Sequence, residues 1–290
     1  MTKILLFMPT YELEDEIKAF PAAMDSFADL KAPEGVQVDR LIGLDNPYGR
    51  VGKHQNTLHQ YQVIRKKVLD LNYDALVTFE HDMLVPEDGL IKLWATSAQI
   101  VYGLYMLRHG AYCVNAFKYI EDSPNMHKSL TYLPREYEKA IQQGWARVTG
   151  VGMGFTLFRR GVLEKFDFRP SGNSFPPDWA IAVDSTKAGI KQICRFDVRC
   201  GHIETNGVAV YPQRKGDEVM VKCKILKQFV SGDIYLPGQV VDIPLEKVQE
   251  FVRAGYLYII EEPDMPAIKI VNKPDKKSTL AVKNGLRNTK

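Results

Sequence analysis

Apolar residues along this chain fall first into short continuous runs separated by stretches of helical period, and only near the end into strict alternation. Ile4-Leu5-Leu6-Phe7-Met8, the run around Val77-Thr78-Phe79 and Ile100 to Met106 are such runs of strand length, and Val36 to Leu44, although Gln37, Asp39 and Arg40 interrupt it, reads as a further strand ending at Asp45. Runs without polar alternation predict strands covered on both faces. Between them apolar positions recur at helical spacing: Ile17, Phe20 and Met24, then Leu58, Tyr61, Ile64, Val68 and Leu69, then Leu90, Leu93 and Trp94. Strands alternating with helices predict an α/β fold, a mostly parallel sheet with helices on both faces.

The pattern changes twice further on. A polar stretch from Glu121 to Gln143, with a helix expected over 135–144, gives way to Val148-Thr149-Gly150-Val151-Gly152-Met153-Gly154-Phe155-Thr156-Leu157-Phe158. This reads as one strand whose glycines let another group approach closely, or as a glycine bulge. Pro176-Pro177-Asp178-Trp179 opens a helix running to Gly189, with Asp178 at the N-cap and Gly189 at the C-terminal cap. Cys194 to Val198 is a further strand, leading into Cys200-Gly201-His202-Ile203. After 212 the period becomes two: Val219, Val221, Cys223 and Ile225 alternate with polar residues. Turns at 231–233 and 237–238, a helix over 245–254 and a strand over 256–260 complete a small β module. Residues 263–290 are proline- and lysine-rich with no period, and are expected to be flexible.

The densest candidate chemistry is Glu80-His81-Asp82, at the end of the third strand. In open α/β sheets ligands bind in the crevice at the carboxyl ends of the strands. Extended backbone there would set Glu80 and Asp82 on one side, an oxygen pair suited to Mg²⁺ or Mn²⁺. A strand that merely ends in solvated charges fits the segment as well. Asn46-Pro47-Tyr48-Gly49-Arg50-Val51-Gly52-Lys53 is a glycine-punctuated loop carrying two cations after the second strand.

Composition narrows the setting. With 290 residues, 45% hydrophobic and 25% charged, the chain can bury one large core and a small second module. Its net charge is +3, and residues 269–290 alone hold seven Lys or Arg against one Asp, so nucleic-acid binding is not indicated. Four cysteines without a CxxC pair indicate neither a zinc ribbon nor a disulfide framework. The N-terminal apolar run is too short for a signal-peptide core and no span of about 20 apolar residues follows, so a soluble, cytoplasmic protein is expected.

Four local features occur in order: Met8-Pro9-Thr10 closing the first strand, Asp45 closing the second, Glu80-His81-Asp82, and Asp178-Trp179 followed by Gly189. Together they resemble a GT-A-fold glycosyltransferase of the broad family 2-like, nucleotide-sugar-dependent group, over about residues 1–210. Cys200-Gly201-His202-Ile203 is similar to the segment that in many such enzymes gives a histidine to the metal. Two departures stand out: Glu80 replaces the first acid of the DxD pattern, and of the acidic pair at the acceptor-side helix only Asp178 remains.

The resemblance implies Asp82 and His202 as ligands of Mn²⁺ or Mg²⁺, with Glu80 contributing through the metal or the sugar ribose, and a nucleotide-diphospho-sugar, UDP-linked by preference, as donor. It implies Pro9, Thr10, Glu12 and Asp45 against base and ribose, Arg50 and Lys53 against the diphosphate, and Gly152, Met153 and Gly154 as the floor under the sugar. Asp178 is implied as the base in an inverting transfer to an unknown acceptor hydroxyl, with a purely capping role as the alternative. Trp179 would stack on a sugar or fill the core. The domains expected are 1–212 for the transferase, 218–262 for a small SH3-like β module that serves docking or acceptor recognition, and 263–290 for the basic tail. Such barrels also occur in virus particles, which suggests a viral source and, with it, host cytoplasm. The alternatives are a nucleotidyltransferase, although 8–12 lacks the glycine-rich basic loop such an enzyme wants, and a degenerate GT-A protein acting as a binding module.

Overall fold

The computed structural model describes residues 1–10, 21–49, 52–106, 114–119, 130–131, 134–170, 177–203, 209–212, 220–225, 229–231, 233–235, 237, 239–244 and 257–259. The chain divides into two compact units, Met1–Asp217 and Glu218–Lys290.

In the first unit the order is β1 (Thr2–Pro9), α1 (Pro21–Asp29), β2 (Val36–Gly43), α2 (Lys53–Asp70), β3 (Ala75–Phe79), β4 (Met83–Leu84), α3 (Gly89–Ala95), β5 (Ile100–Leu104), β6 (Phe117–Tyr119) and β7 (Leu130–Thr131). It continues with α4 (Pro134–Gln143), β8 (Trp145–Val148), β9 (Phe155–Arg159), α5 (Arg160–Lys165), α6 (Pro177–Lys187), β10 (Gln192–Arg199), β11 (Gly201–Ile203) and β12 (Ala209–Val210). A seven-stranded sheet has the order β2-β1-β3-β9-β5-β10-β8. Strands β1, β2, β3, β5 and β10 run one way, and β9 and β8 run the other. This is the mostly parallel α/β sheet expected for a GT-A layout, with one antiparallel strand set in its middle.

Every residue from Ile4 to Met8 is at most 2% exposed, which is why β1 shows no polar alternation. Register fixes the two faces. Phe7 lies level with Thr78, so Phe79 points to the opposite side. The Phe7 ring meets Tyr61 of α2 edge-on at 6.0 Å, and the Phe79 ring meets Phe27 of α1 edge-on at 5.3 Å. Helices α1 and α2 therefore cover opposite faces. Phe158 continues the α2 side through Phe168, which in turn lies against Tyr61.

Two details depart from the sequence reading. The glycine-rich stretch 148–158 is two strands, not one: β8 pairs with β10 at the sheet edge, whereas β9 lies between β3 and β5. The glycines at 150–154 therefore form the connection that carries the chain from edge to centre. Helix α6 begins at Pro177, so Asp178 stands inside its first turn rather than at the N-cap. A proline is favoured at the first helical position because its missing N–H would be unsatisfied there anyway. The other end agrees with expectation: Gly189 has φ +71° and its N–H bonds the Thr186 carbonyl at 3.0 Å.

The second unit contains β13 (Met220–Ile225), β14 (Phe229–Ser231), β15 (Asp233–Tyr235), β16 (Val240–Pro244) and β17 (Leu257–Ile259). Antiparallel β16 and β17 flank β13, and β14 pairs with β15. Among the described residues these are open ladders, and closure into an SH3-like barrel is not seen. The helix expected over 245–254 and the tail 263–290 lie outside the described residues, as does the stretch 120–129.

Candidate functional site

Glu80 follows β3 and Asp82 sits two residues on, in the turn that leads into β4. The turn is fixed by backbone: Met83 N–H bonds the Glu80 carbonyl at 3.1 Å, and Glu80 N–H bonds the Gly154 carbonyl at 2.9 Å. Strand β4 pairs antiparallel with β11, with Met83 opposite His202, and the Ile203 N–H reaches the Asp82 carbonyl at 2.8 Å. Residues about 120 positions apart thus meet. Glu80, Asp82 and His202 each offer one ligand atom, all within 4.8 Å of one another. Asp82 and His202 are buried at 5% and 8% exposure.

The histidine is aimed. Its Nδ1 lies 2.7 Å from the Met106 carbonyl oxygen, which can only accept, so Nδ1 carries the proton. Nε2, 3.7 Å from Asp82 Oδ1, then presents its lone pair to the acidic side. A carbonyl anchoring one ring nitrogen while the other faces carboxylates is the usual support for a metal-binding imidazole. Two carboxylates and one nitrogen fit a divalent cation such as Mn²⁺.

Asp178 comes from the other side. Helix α6, roughly 16 Å long by its rise per residue, ends close to the start of β10. Its first turn is therefore carried to the sheet edge where β5 and β3 end. Asp178 Oδ1 accepts a hydrogen bond from the Trp179 N–H at 2.8 Å. Burial pushes its carboxyl up to about 6, even though the residue keeps some exposed surface. A Cβ built on Gly152 would lie 2.2 Å from Tyr105 Oη, 2.4 Å from Asn115 Nδ2 and 3.2 Å from Asp178 Oδ2. No side chain fits there. Gly154 is similarly close to the Tyr105 ring, at 2.9 Å, and Thr78 Oγ1 donates to the Met153 carbonyl at 2.7 Å. Trp179 is half-buried and meets the Phe117 ring edge-on at 5.4 Å.

A second cluster forms at the ends of β1 and β2. Gln60, 3% exposed on α2, accepts from the Thr10 N–H at 3.2 Å and donates to the Thr10 carbonyl at 2.7 Å and to Asn46 Oδ1 at 2.6 Å. Thr10 Oγ1 donates to the Gly43 carbonyl at 2.6 Å. Asp45, beside Asn46, has its Oδ2 2.8 Å from His59 Nε2. Pro9, Thr10 and Asp45 are therefore brought to one edge. Glu12 and Arg50 lie outside the described residues. Lys53 opens α2, and its side chain is outside them too.

Sequence reasoning missed Tyr105, Asn115, Gln60 and the position of His81, whose Nε2 is 4.0 Å from Asp82 Oδ2. Tyr105 read as the apolar end of a strand. Its signal was position, one residue past the end of a central strand.

No protein-family model matches the chain, and no curated protein matches it. Among solved structures, A197 from STIV is 16% identical, covering 73% of this chain and 95% of that one, with a TM-score of 0.43. Drosophila β1,4-galactosyltransferase 7, as a mutant with manganese, UDP-Gal and xylobiose, is 16% identical over 84% of this chain and 95% of that one, TM-score 0.40. S. aureus TarS 1–349 with UDP-GlcNAc is 13% identical over 68% of this chain and 56% of that one, TM-score 0.38. No described helix is long and apolar enough to cross a membrane.

Proposed function

We propose that the first unit is a metal-dependent, inverting glycosyltransferase that moves a sugar from a nucleotide-diphospho-sugar, UDP-linked by preference, to an acceptor hydroxyl. One observation carries this reading: Glu80, Asp82 and His202 converge within 4.8 Å at the sheet edge to which Asp178 also comes, with only glycine between Asp178 and the Tyr105 hydroxyl.

Asp82, Glu80 and His202 would hold Mn²⁺ or Mg²⁺, which supplies a Lewis acid against the charge developing on the diphosphate. Asp178 takes the proton of the acceptor hydroxyl as that oxygen forms its bond to the anomeric carbon. The bond from that carbon to the phosphate oxygen breaks, and the diphosphate leaves with the electron pair. A carboxyl raised to about 6 is matched to this task, since a base works best with a pKa near the operating pH. Gly152 and Gly154 keep the floor of the site free of side chains. Pro9, Thr10 and Asp45 would meet the base and ribose, with Gln60 holding the Thr10 backbone in place. Glu12, Arg50, Lys53 and Trp179 remain proposed contacts to the nucleotide, its diphosphate and the sugar.

The reading is tested by thermal shift with UDP, GDP, CDP, ADP, dTDP and their sugar conjugates, each with Mn²⁺, Mg²⁺ or EDTA. A ligand at about 100 times its dissociation constant adds roughly 2.7 kcal/mol. One nucleotide should stabilise the protein only when metal is present, and Asp82→Asn should lose the effect. Indifference to every nucleotide with metal would overturn the reading.

A further inference from the structure

Three residues of α2 reach across to the segment that follows β2, and each takes a different part of it. Asn56, 1% exposed, accepts from the Tyr48 N–H at 2.9 Å and donates to the Gly49 carbonyl at 2.8 Å. His59 Nε2 lies 2.8 Å from Asp45 Oδ2, and Gln60 donates to Asn46 Oδ1 at 2.6 Å. Positions 56, 59 and 60 share one face of the helix, so a rigid element holds residues 45–49 from one side. Of the three, His59 takes the charged group. The Asp45 side chain is 61% exposed, and a pair so open to water adds little to stability. Its geometry is nevertheless specified from both ends. A carboxylate oxygen can only accept, so Nε2 carries the proton. The ring meets Tyr48 edge-on at 6.3 Å and 80°, and Tyr48 is itself held through its N–H by Asn56. Asp45 Oδ2 is thus committed to the imidazole, while Oδ1 has no partner among the described residues.

We infer that His59 is the positioning residue that makes Asp45 a reader of the nucleotide base: with Oδ2 tied to the imidazole, Oδ1 is presented as a single acceptor to a ring N–H, which selects uracil over cytosine. The inference rests on the proposed role of Asp45 against the base. Uracil carries a hydrogen on N3, whereas cytosine has a lone pair there, and a lone pair set against a carboxylate oxygen is repelled. A site built to hydrogen-bond a substrate N–H rejects the analogue lacking it, because its own polar group is then left unpaired. An exposed carboxylate free to rotate would blur that choice, since either oxygen could turn to meet either base or water. The imidazole removes this freedom before the nucleotide arrives, so the ordering entropy is not lost on binding.

Calorimetric titration of the full chain with UDP and with CDP, in the presence of Mn²⁺, reads the two affinities, and a melting scan reads the fold. Wild type should bind UDP about tenfold or more tighter than CDP. In His59→Ala the ratio should fall toward parity as Asp45 becomes free to turn, with the melting temperature close to wild type. A merely structural role would weaken both nucleotides together and keep the ratio. Asp45→Asn gives a sharper sign. The His59 N–H would hold the amide oxygen, leaving the NH₂ toward the base, where it can donate to cytosine N3. Preference should therefore reverse to CDP. Adding His59→Ala to that variant should erase the reversal, since the amide can then turn either way. UDP binding with an unchanged ratio in His59→Ala, or no reversal in Asp45→Asn, overturns the inference and leaves the proposed function standing. Wild-type protein that binds neither UDP nor CDP overturns it as well, and silence toward every nucleotide with metal present defeats the proposed function with it.

Discussion

The backbone N–H of Ile203 donates to the carbonyl oxygen of Asp82 at 2.8 Å, tying the strand that carries His202 to the turn that carries two acids. The bond lies on the main chain, so changing either ligand side chain leaves it in place. Ligand variants at this site should therefore report on chemistry rather than on folding.

Asp82→Asn tests that separation directly. The amide is isosteric, but it is a weak metal donor where the carboxylate was a strong one. Affinity for Mn²⁺ should fall by more than about 100-fold, beyond the effect of losing an outer-shell partner. The melting temperature without metal should stay close to wild type. Calorimetric titration with Mn²⁺ reads the first quantity and a melting scan the second.

His202→Gln removes the ring that meets Tyr105 and the Nδ1 bond to the Met106 carbonyl. A nitrogen ligand favours Mn²⁺ over Mg²⁺ more than oxygen ligands do. The variant should lose more affinity for Mn²⁺ than for Mg²⁺, narrowing the ratio between the two. Equal losses for both ions would show that the ring does not reach the metal.

Much of this arrangement is legible in the sequence, for a physical reason. The inner parallel strands are buried on both faces, so β1, β3 and β5 appear as continuous apolar runs, whereas the edge strand β2 is half-buried and carries Gln37, Asp39 and Arg40 among its apolar residues; Glu80 and Asp82 stand just beyond the end of β3. The 148–158 stretch misleads because β8 and β9 are both strands and only the glycines between them mark the crossing. Asp178 is misplaced by two positions, because Pro177 takes the first helical position instead of preceding the cap. Tyr105 and Gln60 escape notice since their importance lies in partners 49 and 50 residues away.

The raised carboxyl of Asp178 makes a stability prediction with a definite sign. An unfolded Asp titrates near 3.9, whereas in the fold it is held up to about 6. Between those values the folded state binds more protons than the unfolded one, so stability falls as pH rises from about 4 to about 6, and the cost persists above. Asp178→Asn escapes it, and its Oδ1 can still accept from the Trp179 N–H. The variant should match wild type near pH 4 and exceed it by up to about 3 kcal/mol at pH 8, while losing transferase activity. Urea unfolding at the two pH values measures the difference. Under the proposed role of Asp178 as base, wild-type activity should rise through about pH 6 as its carboxyl ionises.

Gly152→Ala probes the gap between the two halves of the site. The added Cβ would sit 2.2 Å from Tyr105 Oη and 2.4 Å from Asn115 Nδ2, both buried and anchored. Neither is the free end of a flexible chain, so the backbone of 150–154 must give way. Overpacking of this kind costs about 1–3 kcal/mol. The variant should melt lower and lose activity, since the Gly154 N–H that pins Tyr105 would move with the loop.

Gln60→Ala separates the nucleotide end of the site from the metal end. The buried amide pairs with both the N–H and the carbonyl of Thr10, much as a neighbouring strand would, and also holds Asn46. Its removal leaves Thr10 with the Gly43 carbonyl at 3.3 Å and the Asn46 amide at 3.0 Å as its remaining backbone partners. Weakening buried bonds of this kind costs about 1–3 kcal/mol, visible as a lower melting temperature without ligand. Because Thr10 and Asp45 are the proposed nucleoside contacts, nucleotide affinity should fall several-fold as their geometry loosens. The cluster of Glu80, Asp82 and His202 is built on β3, β4 and β11, none of which Gln60 touches among its named partners, so Mn²⁺ affinity should be unchanged. A parallel loss of metal and nucleotide affinity would instead mean that the variant has softened the whole sheet edge.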